Sequence, residues 1–388
     1  MSGGRRLDRA PNSVEALRDP EFVARVSGLQ RSMREHGFSV LICYGAHRDW
    51  VPADLWYLAR WSCIDEEMSY VVVPADGETT LVTDAEWDLE RAREEAYAGE
   101  VLFDHDPGPL LARLIREHAP NGGNIGISGL PYFPTPVYLA LSSELPDHHL
   151  SDATWLTSLQ RTIKSPAELA LLREAARISD IGMEAGLHAA RAGATEIEVS
   201  SSAEIAMLRE GAEISFTTVA GSGPRTALTT FLPSNRVIER GDLVVLDCGA
   251  RVSGYHGDMC RSIVVGAPSD IQRRLLEAAR DAVVAATGTA RPGVTIGEVH
   301  SAARSAVDEA GLGEQFWGYY MPHGIGAGQH ETPLGLHDAD LVMRPGMVVC
   351  IEPGIAMPGV GGVVLEQMIA ITPDGAETIT ELPLELWD

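Results

Sequence analysis

Five side chains in the second half of the sequence have the types and settings of metal ligands. Asp247, Glu352 and Glu366 each follow directly after a run of apolar residues that is typical of a buried strand. A carboxylate in that setting needs a partner charge or a metal ion, because an isolated ionised carboxylate is costly to remove from water. Asp258 follows a turn, and His323 lies among glycines that leave room for a ligand. The five residues predict an oxygen-rich metal site with one nitrogen.

The chemistry of such a site is the activation of water. Carboxylates that bridge two adjacent positions suit two divalent ions of manganese, iron, cobalt or zinc. We expect manganese first, although the four metals share these ligands. Two such ions, roughly 3.5–4 Å apart, polarise a carbonyl group and lower the pKa of a bound water toward about 7.

Two strands must bring the aspartates together. The apolar run 243–248 contains Asp247, and the segment 254–265 contains Asp258. We expect two strands joined by a tight turn, because a hairpin places such positions on one face. Another strand is expected over residues 214–220.

An internal repeat frames these strands. Residues 191–199 match residues 291–299 at an offset of 100, with Arg, Gly, Thr, Glu and Val in the same places. Each copy has the Thr-x-x-Glu pattern of a capping box and then runs as a predicted helix to a glycine, Gly211 or Gly311. The matches favour a duplicated half-domain over chance reuse of a helix cap. Two such halves would enclose a cleft, where a site could take residues from both.

The chain length indicates two domains, since 388 residues exceed one ordinary hydrophobic core. Residues 21–160 alternate helical and strand patterns and contain no obvious catalytic cluster. A boundary is predicted near residue 161, because Ser165 and Glu168 form a capping box around Pro166 at the start of a long helix. We therefore predict an α/β (α+β) fold with domains over 1–160 and 161–388.

Composition limits the partners and the compartment. The formal net charge is -25, from 55 acidic and 30 basic residues, so the surface would repel phosphate backbones and anionic lipids. We expect no nucleic acid and no membrane as partner. The five cysteines are odd in number and include no Cys-x-x-Cys, which argues against a disulfide framework or a cysteine zinc site. A cytoplasmic protein with reduced thiols is expected.

The order of the five ligand candidates resembles that of the pita-bread metallohydrolases, which include aminopeptidase P, prolidase, methionine aminopeptidase and the metal-free creatinase. The resemblance covers the whole chain and rests on the motifs Asp-x-Gly, Gly-Tyr-x-x-Asp, His-Gly-Ile-Gly and Glu-Pro-Gly. It implies a creatinase-type N-terminal domain, then a duplicated pita-bread catalytic domain, and usually a homodimer. All five ligand positions are filled, unlike in creatinase, which favours a metal enzyme.

The resemblance also implies catalytic residues beside the metals. His330 lies seven residues after His323, where proline-specific members carry a histidine that can donate a hydrogen bond to the substrate. Tyr319 stands where another family histidine would be, and its phenol can still donate a proton. Glu352 is expected to be both a metal ligand and a proton shuttle.

The residues expected to contact the substrate depart from the family pattern. Thr230 stands in place of a histidine, Arg225 in place of an asparagine, and Val364 in place of an arginine. The metal ligands are intact while these residues differ, so we expect conserved metal chemistry on a changed substrate. One hypothesis is that Arg225 binds a carboxylate or other anion of a small substrate.

The leading expectation is a two-metal hydrolase that cleaves an amide-type C–N bond. Its substrate would be a short Xaa-Pro-like peptide or a specialised small amide, lactam or cyclic amidine. A metal-dependent lyase on a small zwitterionic or anionic substrate is the alternative, with Tyr319 or Tyr320 as base. A metal-binding homologue without catalysis is the third reading, against which the complete ligand set argues.

Overall fold

The computed structural model describes residues 19–46, 53–64, 67–228 and 231–386. Thr230, one of the expected substrate residues, lies outside the described residues. The chain divides into two compact units, one of residues 14–161 and one built mainly from residues 162–388. Within the described part of the chain, no helix is long and apolar enough to cross a membrane.

The first unit is a six-stranded mixed sheet with helices. The sheet has the order β4-β3-β2-β1-β5-β6, in which β1 runs antiparallel to β2 and parallel to β5. Its strands are β1 (Phe38–Ala46), β2 (Met68–Pro74), β3 (Thr80–Thr83), β4 (Glu100–Phe103), β5 (Gly123–Ile127) and β6 (His148–Asp152). Its helices are α1 (Asp19–Glu35), α2 (Asp54–Ala59), α3 (Leu89–Glu95), α4 (Pro107–His118), α5 (Thr135–Glu144) and α6 (Thr154–Thr162).

The second unit begins with a helix that the sequence specifies strongly. Ser165 accepts a hydrogen bond from the Glu168 amide, and the Glu168 side chain accepts one from the Ser165 amide, while Pro166 fills the first turn. The helices of this unit are α7 (Pro166–Ala189), α8 (Glu196–Arg209), α9 (Asp270–Thr289) and α10 (Ile296–Glu309).

The strands of the second unit form small antiparallel sheets. Two of these sheets, β12-β9-β8 and β15-β14-β16-β19-β20, position the site described below. The strands are β7 (Glu213–Ile214), β8 (Val219–Ser222), β9 (Leu243–Cys248), β10 (Ala250–Val252), β11 (Tyr255–His256), β12 (Met259–Val264), β13 (Phe316–Trp317), β14 (His323–Gly324), β15 (Glu331–Leu334), β16 (Val348–Ile351), β17 (Gly354–Met357), β18 (Gly361–Val364), β19 (Gln367–Thr372) and β20 (Gly375–Thr378). Short 3-10 helices lie at Glu86–Asp88, Leu130–Tyr132, Gly223–Ala227, Gly313–Gln315 and Gly335–Asp338.

The sequence repeat corresponds to a repeated structure. Capping boxes open both α8, at Thr195 and Glu198, and α10, one hundred residues later. The two capping threonines also make equivalent isolated bridges, Thr195 with Val237 and Thr295 with Val342. Both helices are followed by a glycine with positive φ, as the sequence pattern predicts. The second unit is therefore built from two similar halves.

The expected simple hairpin around Asp247 is wrong in one respect. β9 and β12 are antiparallel neighbours, but the chain between them forms a separate hairpin of β10 and β11, in which β10 also pairs with β7. The chain crosses itself where it leaves β9, since a Cβ on Gly249 would lie 1.9 Å from the Gly257 carbonyl oxygen. Glycine permits this crossing, and the tight turn lies in the added hairpin, at Ser253 and Gly254.

The strand expected over residues 214–220 is also divided. Its two ends form β7 and β8, which belong to different sheets. β7 pairs with β10 of the added hairpin, whereas β8 pairs with β9. The inserted hairpin of β10 and β11 therefore explains both the divided strand and the departure from a simple hairpin around Asp247.

Candidate metal centre

The five predicted ligands lie at the ends of strands that face one another. Asp247 lies in β9 and Glu352 follows β16, while Asp258 precedes β12 and Glu366 precedes β19. His323 begins β14. Their donor atoms form two groups, each with all its atoms within 4.8 Å of one another: Asp258, His323, Cys350 and Glu366 in the first group, and Asp247, Cys260 and Glu352 in the second.

Several of these donor atoms are buried without a hydrogen bond. His323 and Glu366 are 1% and 0% exposed. Among the described residues, His323 Nε2, both carboxylate oxygens of Glu366 and Oδ1 of Asp247 have no hydrogen-bond partner. Buried polar atoms are almost always paired, and leaving one unpaired costs about 1–3 kcal/mol. A bound cation would satisfy all four atoms, so the residues fit a metal.

The orientation of His323 supports this interpretation. Its Nδ1 lies 3.1 Å from the Gly324 carbonyl oxygen, which can only accept a hydrogen bond. Nδ1 therefore donates, and a neutral ring leaves Nε2 with a lone pair. Burial, followed by the proximity of His330, lowers the pKa of His323 to about 3, which keeps that lone pair available.

The carboxylates repel one another in the absence of a cation. Burial, followed by the nearby Asp258 carboxylate, raises the pKa of Glu352 to about 8. Burial likewise raises the pKa of Asp258 to about 7, and it raises the pKa values of Asp247 and Glu366 well above their ordinary range. Cations between these groups would stabilise the ionised forms.

Two cysteines in the groups were missed by the reasoning from sequence. Cys260 lies two residues after Asp258, and Cys350 lies two residues before Glu352. Side chains two apart in a strand point to the same face, so this spacing was an available signal. It was overlooked because the cysteines were considered only as Cys-x-x-Cys pairs.

Known proteins resemble both parts of the chain. Residues 170–373 match the family described as Metallopeptidase family M24, and residues 25–163 match the Creatinase/Prolidase N-terminal domain. The chain belongs to metallopeptidase family M24. It is therefore a metal-dependent peptidase with a creatinase-type N-terminal domain and a pita-bread catalytic domain, and the predictions of fold, of hydrolase activity and of divalent metal ions are confirmed.

Individual relatives extend over almost the whole chain. A Xaa-Pro dipeptidase of Pyrococcus furiosus is 34% identical over 337 residues, which cover 86% of this chain and 93% of that relative. The structure of a Xaa-Pro dipeptidase from Bacillus anthracis has a TM-score of 0.83 at 31% identity and covers 94% of this chain and 99% of its own. The prolidase structure from Pyrococcus horikoshii has a TM-score of 0.82 at 29% identity, with coverage of 92% and 98%.

Of the two expected catalytic side chains outside the ligand set, the structure places His330 beside this M24 centre. The ring centroids of His330 and His323 are 4.3 Å apart, and burial lowers the pKa of His330 to about 4. The following residue, Glu331, forms a buried ion pair with Lys164 at 3.3 Å and accepts a hydrogen bond from the Gly328 amide at 2.8 Å. These contacts fix the loop that carries His330.

Tyr319 lies in a different environment. It is 52% exposed and packs against the rings of Tyr320 and His337, with centroid distances of 5.4 and 5.0 Å. The structure groups Tyr319 with these aromatic rings rather than with the ligand candidates.

The expected substrate residues are separated. The Arg225 guanidinium donates to the Glu196 carboxylate, to Ser234 Oγ and, at 2.8 Å, to the Leu232 carbonyl. These contacts use three of the five N–H groups of the guanidinium. Val364 lies in β18 and packs in a small buried cluster with Phe231, Val245 and Cys260. Because Cys260 belongs to the second donor group, this apolar cluster adjoins the metal centre.

Proposed function

We propose that this M24 protein is a dinuclear metal-dependent hydrolase that cleaves the amide C–N bond of a short Xaa-Pro-like peptide. The observation that carries the proposal is the pair of adjacent donor groups, in which His323 Nε2, both Glu366 oxygens and Asp247 Oδ1 are buried and have no hydrogen-bond partner among the described residues. Asp258, His323 and Glu366 would hold one ion, and Asp247 and Glu352 the other. Two divalent ions bound there would supply an activated water and polarise the scissile carbonyl.

The side chains of the protein would then position the substrate and move protons. His330 borders His323 and would form a hydrogen bond to the peptide or to its tetrahedral intermediate. One carboxylate oxygen of Glu352 would carry the proton from the attacking water to the leaving nitrogen. Tyr319, which is 52% exposed, stays a predicted hydrogen-bond donor at the same stage on the sequence pattern alone.

The apolar cluster beside the centre supports an Xaa-Pro-like substrate. Phe231 and Val364 would contact an apolar ring such as that of proline. Relatives of this chain bear the name Xaa-Pro dipeptidase, which points to the same substrate class. A specialised small amide with an apolar ring would fit the same wall.

The Arg225 hypothesis now has a physical cost. The guanidinium pairs with the buried Glu196 carboxylate, so a substrate anion would have to bind the N–H groups outside these contacts or displace that carboxylate. Thr230, outside the described residues, stays a predicted substrate contact on the sequence pattern alone.

Four further assignments are proposed, which concern the metal, the compartment, the oligomeric state and the domain boundary. Manganese is proposed on the carboxylates, which are hard ligands. A reducing cytoplasm suits the five cysteines, all of which are free and buried. The homodimer is proposed from the family resemblance, and the division into domains at residues 160 and 161 from the sequence pattern.

A panel of Xaa-Pro dipeptides and tripeptides tests this function. The protein is loaded with manganese or cobalt, and hydrolysis is compared with that of chelator-treated protein and of Asp258→Asn. We expect metal-dependent cleavage that Asp258→Asn abolishes. Reactions in oxygen-18 water must place the label in the carboxylate of the product, because a lyase would not incorporate it. Full metal occupancy without cleavage of any peptide would refute the substrate assignment.

A further inference from the structure

We propose that both ions are also bound by sulfur: Cys350 completes the position of Asp258, His323 and Glu366, and Cys260 completes that of Asp247 and Glu352. This inference rests on the proposed metal centre and goes beyond it, because sulfur ligands would shift the metal preference from manganese, which the carboxylates alone favour, toward zinc or cobalt.

Cys350 is placed by strand pairing. It lies in β16 directly opposite His323 in β14, so both side chains point to the same face. Its Sγ lies within 4.8 Å of donor atoms of Asp258, His323 and Glu366. One sulfur, one nitrogen and two carboxylate oxygens around one point are a donor set that suits tetrahedral zinc.

Cys260 is placed by the neighbouring sheet. It lies in β12 directly opposite Asp247 in β9, and its Sγ is within 4.8 Å of donor atoms of Asp247 and Glu352. The Cys260 carbonyl accepts hydrogen bonds from the Glu366 amide at 3.0 Å and from the Arg261 guanidinium at 2.9 Å. These contacts hold the backbone, so the thiol has a fixed position.

The unsatisfied neighbours distinguish these two thiols from ordinary buried cysteines. A free cysteine in a core usually behaves as a small apolar residue. Cys63 in the first unit follows that pattern, with its thiol 3.5 Å from the Gly45 carbonyl oxygen and from Ser69 Oγ. Cys350 instead shares its group with His323 Nε2 and both Glu366 oxygens, which have no hydrogen-bond partner in the described part of the chain. Those atoms point to a ligand between them.

Sulfur donors change which metal the site prefers. A thiolate is a soft ligand that favours zinc, cobalt or cadmium, whereas carboxylates alone suit manganese. On binding, the S–H bond is replaced by an S–metal bond, and the proton leaves to solvent. The centre should therefore discriminate between zinc and manganese more strongly than a site of carboxylates and imidazole.

Cobalt provides a spectroscopic test that does not depend on activity. Metal-free full-length protein is titrated with Co²⁺, and thiolate-to-cobalt charge-transfer absorption is measured in the near ultraviolet. The variants are Cys350→Ser and Cys260→Ser. Cys248→Ser is the matched control, because Cys248 is equally buried and adjoins Asp247 but lies opposite Met259, on the other face of β9.

We expect the band in wild type and in Cys248→Ser, and a partial loss in each of the other two variants. Zinc affinity should fall at least about tenfold in Cys350→Ser, with a smaller change in manganese affinity. Cobalt bound at two equivalents without a charge-transfer band would overturn the sulfur ligation while leaving the metal centre intact. Failure to bind cobalt at all would overturn the centre as well. The wild-type spectrum decides between these outcomes even if a variant does not fold.

Discussion

Two buried carboxylates in the same unit have opposite surroundings. Glu196, at the start of α8, accepts hydrogen bonds from the amide and hydroxyl groups of Ser222 and Ser234 and forms an ion pair with Arg225. Glu366 is just as deeply buried, yet neither of its oxygens has a hydrogen-bond partner among the described residues. The hydrogen-bonding capacity of Glu196 is satisfied by the protein itself, whereas the unpaired oxygens of Glu366 fit a bound cation.

The repeat makes this difference more informative. The residue one hundred positions after Glu196 is Ile296, which is buried and begins α10. The two halves therefore share a backbone frame but fill it differently, with a polar network in one and an apolar core in the other. The frame alone does not require Glu196 or Arg225, so their pairing is a property of the first half.

The difference between Glu366 and Glu196 is tested most directly by replacing each carboxylate in turn with an uncharged amide. Glu366→Gln should lower kcat/KM by about a thousandfold, because several kcal/mol of metal-dependent stabilisation are lost. It should leave the Tm of the metal-free protein unchanged or raise it, since a carboxyl group leaves a cluster of like charges. Steady-state kinetics and thermal denaturation with and without metal measure both effects.

The matched variant is Glu196→Gln, which should behave in the opposite way. It should lower the free energy of unfolding by about 3 kcal/mol with or without metal. The reason is that the hydrogen-bond and ion-pair partners of Glu196 would no longer face a charged acceptor. Equal responses of the two variants to metal would contradict the distinction between the carboxylates.

An Arg225→Ala variant tests whether this arginine stabilises the fold or binds the substrate. Arg225→Ala should cost about 2–3 kcal/mol of stability, somewhat less than a fully buried pair, because the side chain of Arg225 is 30% exposed. The same change in the Glu196→Gln background should cost much less, and denaturant unfolding of the four proteins gives the coupling energy. KM is measured in parallel. An unchanged KM would exclude the substrate-anion role, whereas a raised KM without loss of stability would restore it.

The smallest expected effect concerns a neighbour of Asp258. The Gln329 side-chain amide donates to Asp258 Oδ2 at 3.4 Å and lowers the pKa of that carboxyl against the effect of burial. Gln329→Leu should weaken metal binding by roughly tenfold, as loss of such supporting hydrogen bonds generally does. Calorimetric titration measures the affinity. Gln30→Leu is the control, because its amide bonds only to backbone carbonyls in the first unit.

The sequence was most informative where local rules act. The start of α7 follows from the capping box of Ser165 and Glu168, and the duplicated frame follows from the repeated Thr-x-x-Glu pattern. The five ligand candidates were recognisable because each lies beside an apolar strand or a glycine-rich turn. Their placement in two donor groups agrees with that reasoning.

Features that depend on distant contacts were not predictable in the same way. The partner of Arg225 is Glu196, twenty-nine residues earlier in the chain, and no local pattern links the two. The hairpin inserted after β9 depends on the chain crossing at Gly249 and Gly257, which is a tertiary contact. Cys260 and Cys350 had a usable local signal, the two-residue spacing in a strand, but their relevance depends on which strands face each other.

The arrangement of the ligands has a consequence for the integrity of the chain. Asp247 and Asp258 come from the first half, whereas His323, Glu352 and Glu366 come from the second. Ions bound by both halves would link segments that are separated by more than fifty residues. Such a link stabilises the folded chain in the way that a covalent cross-link does. Loss of metal would then weaken the link between the halves without abolishing it, because Ser262 and Val364 still exchange hydrogen bonds and Val264 shares a core cluster with residues of the second half.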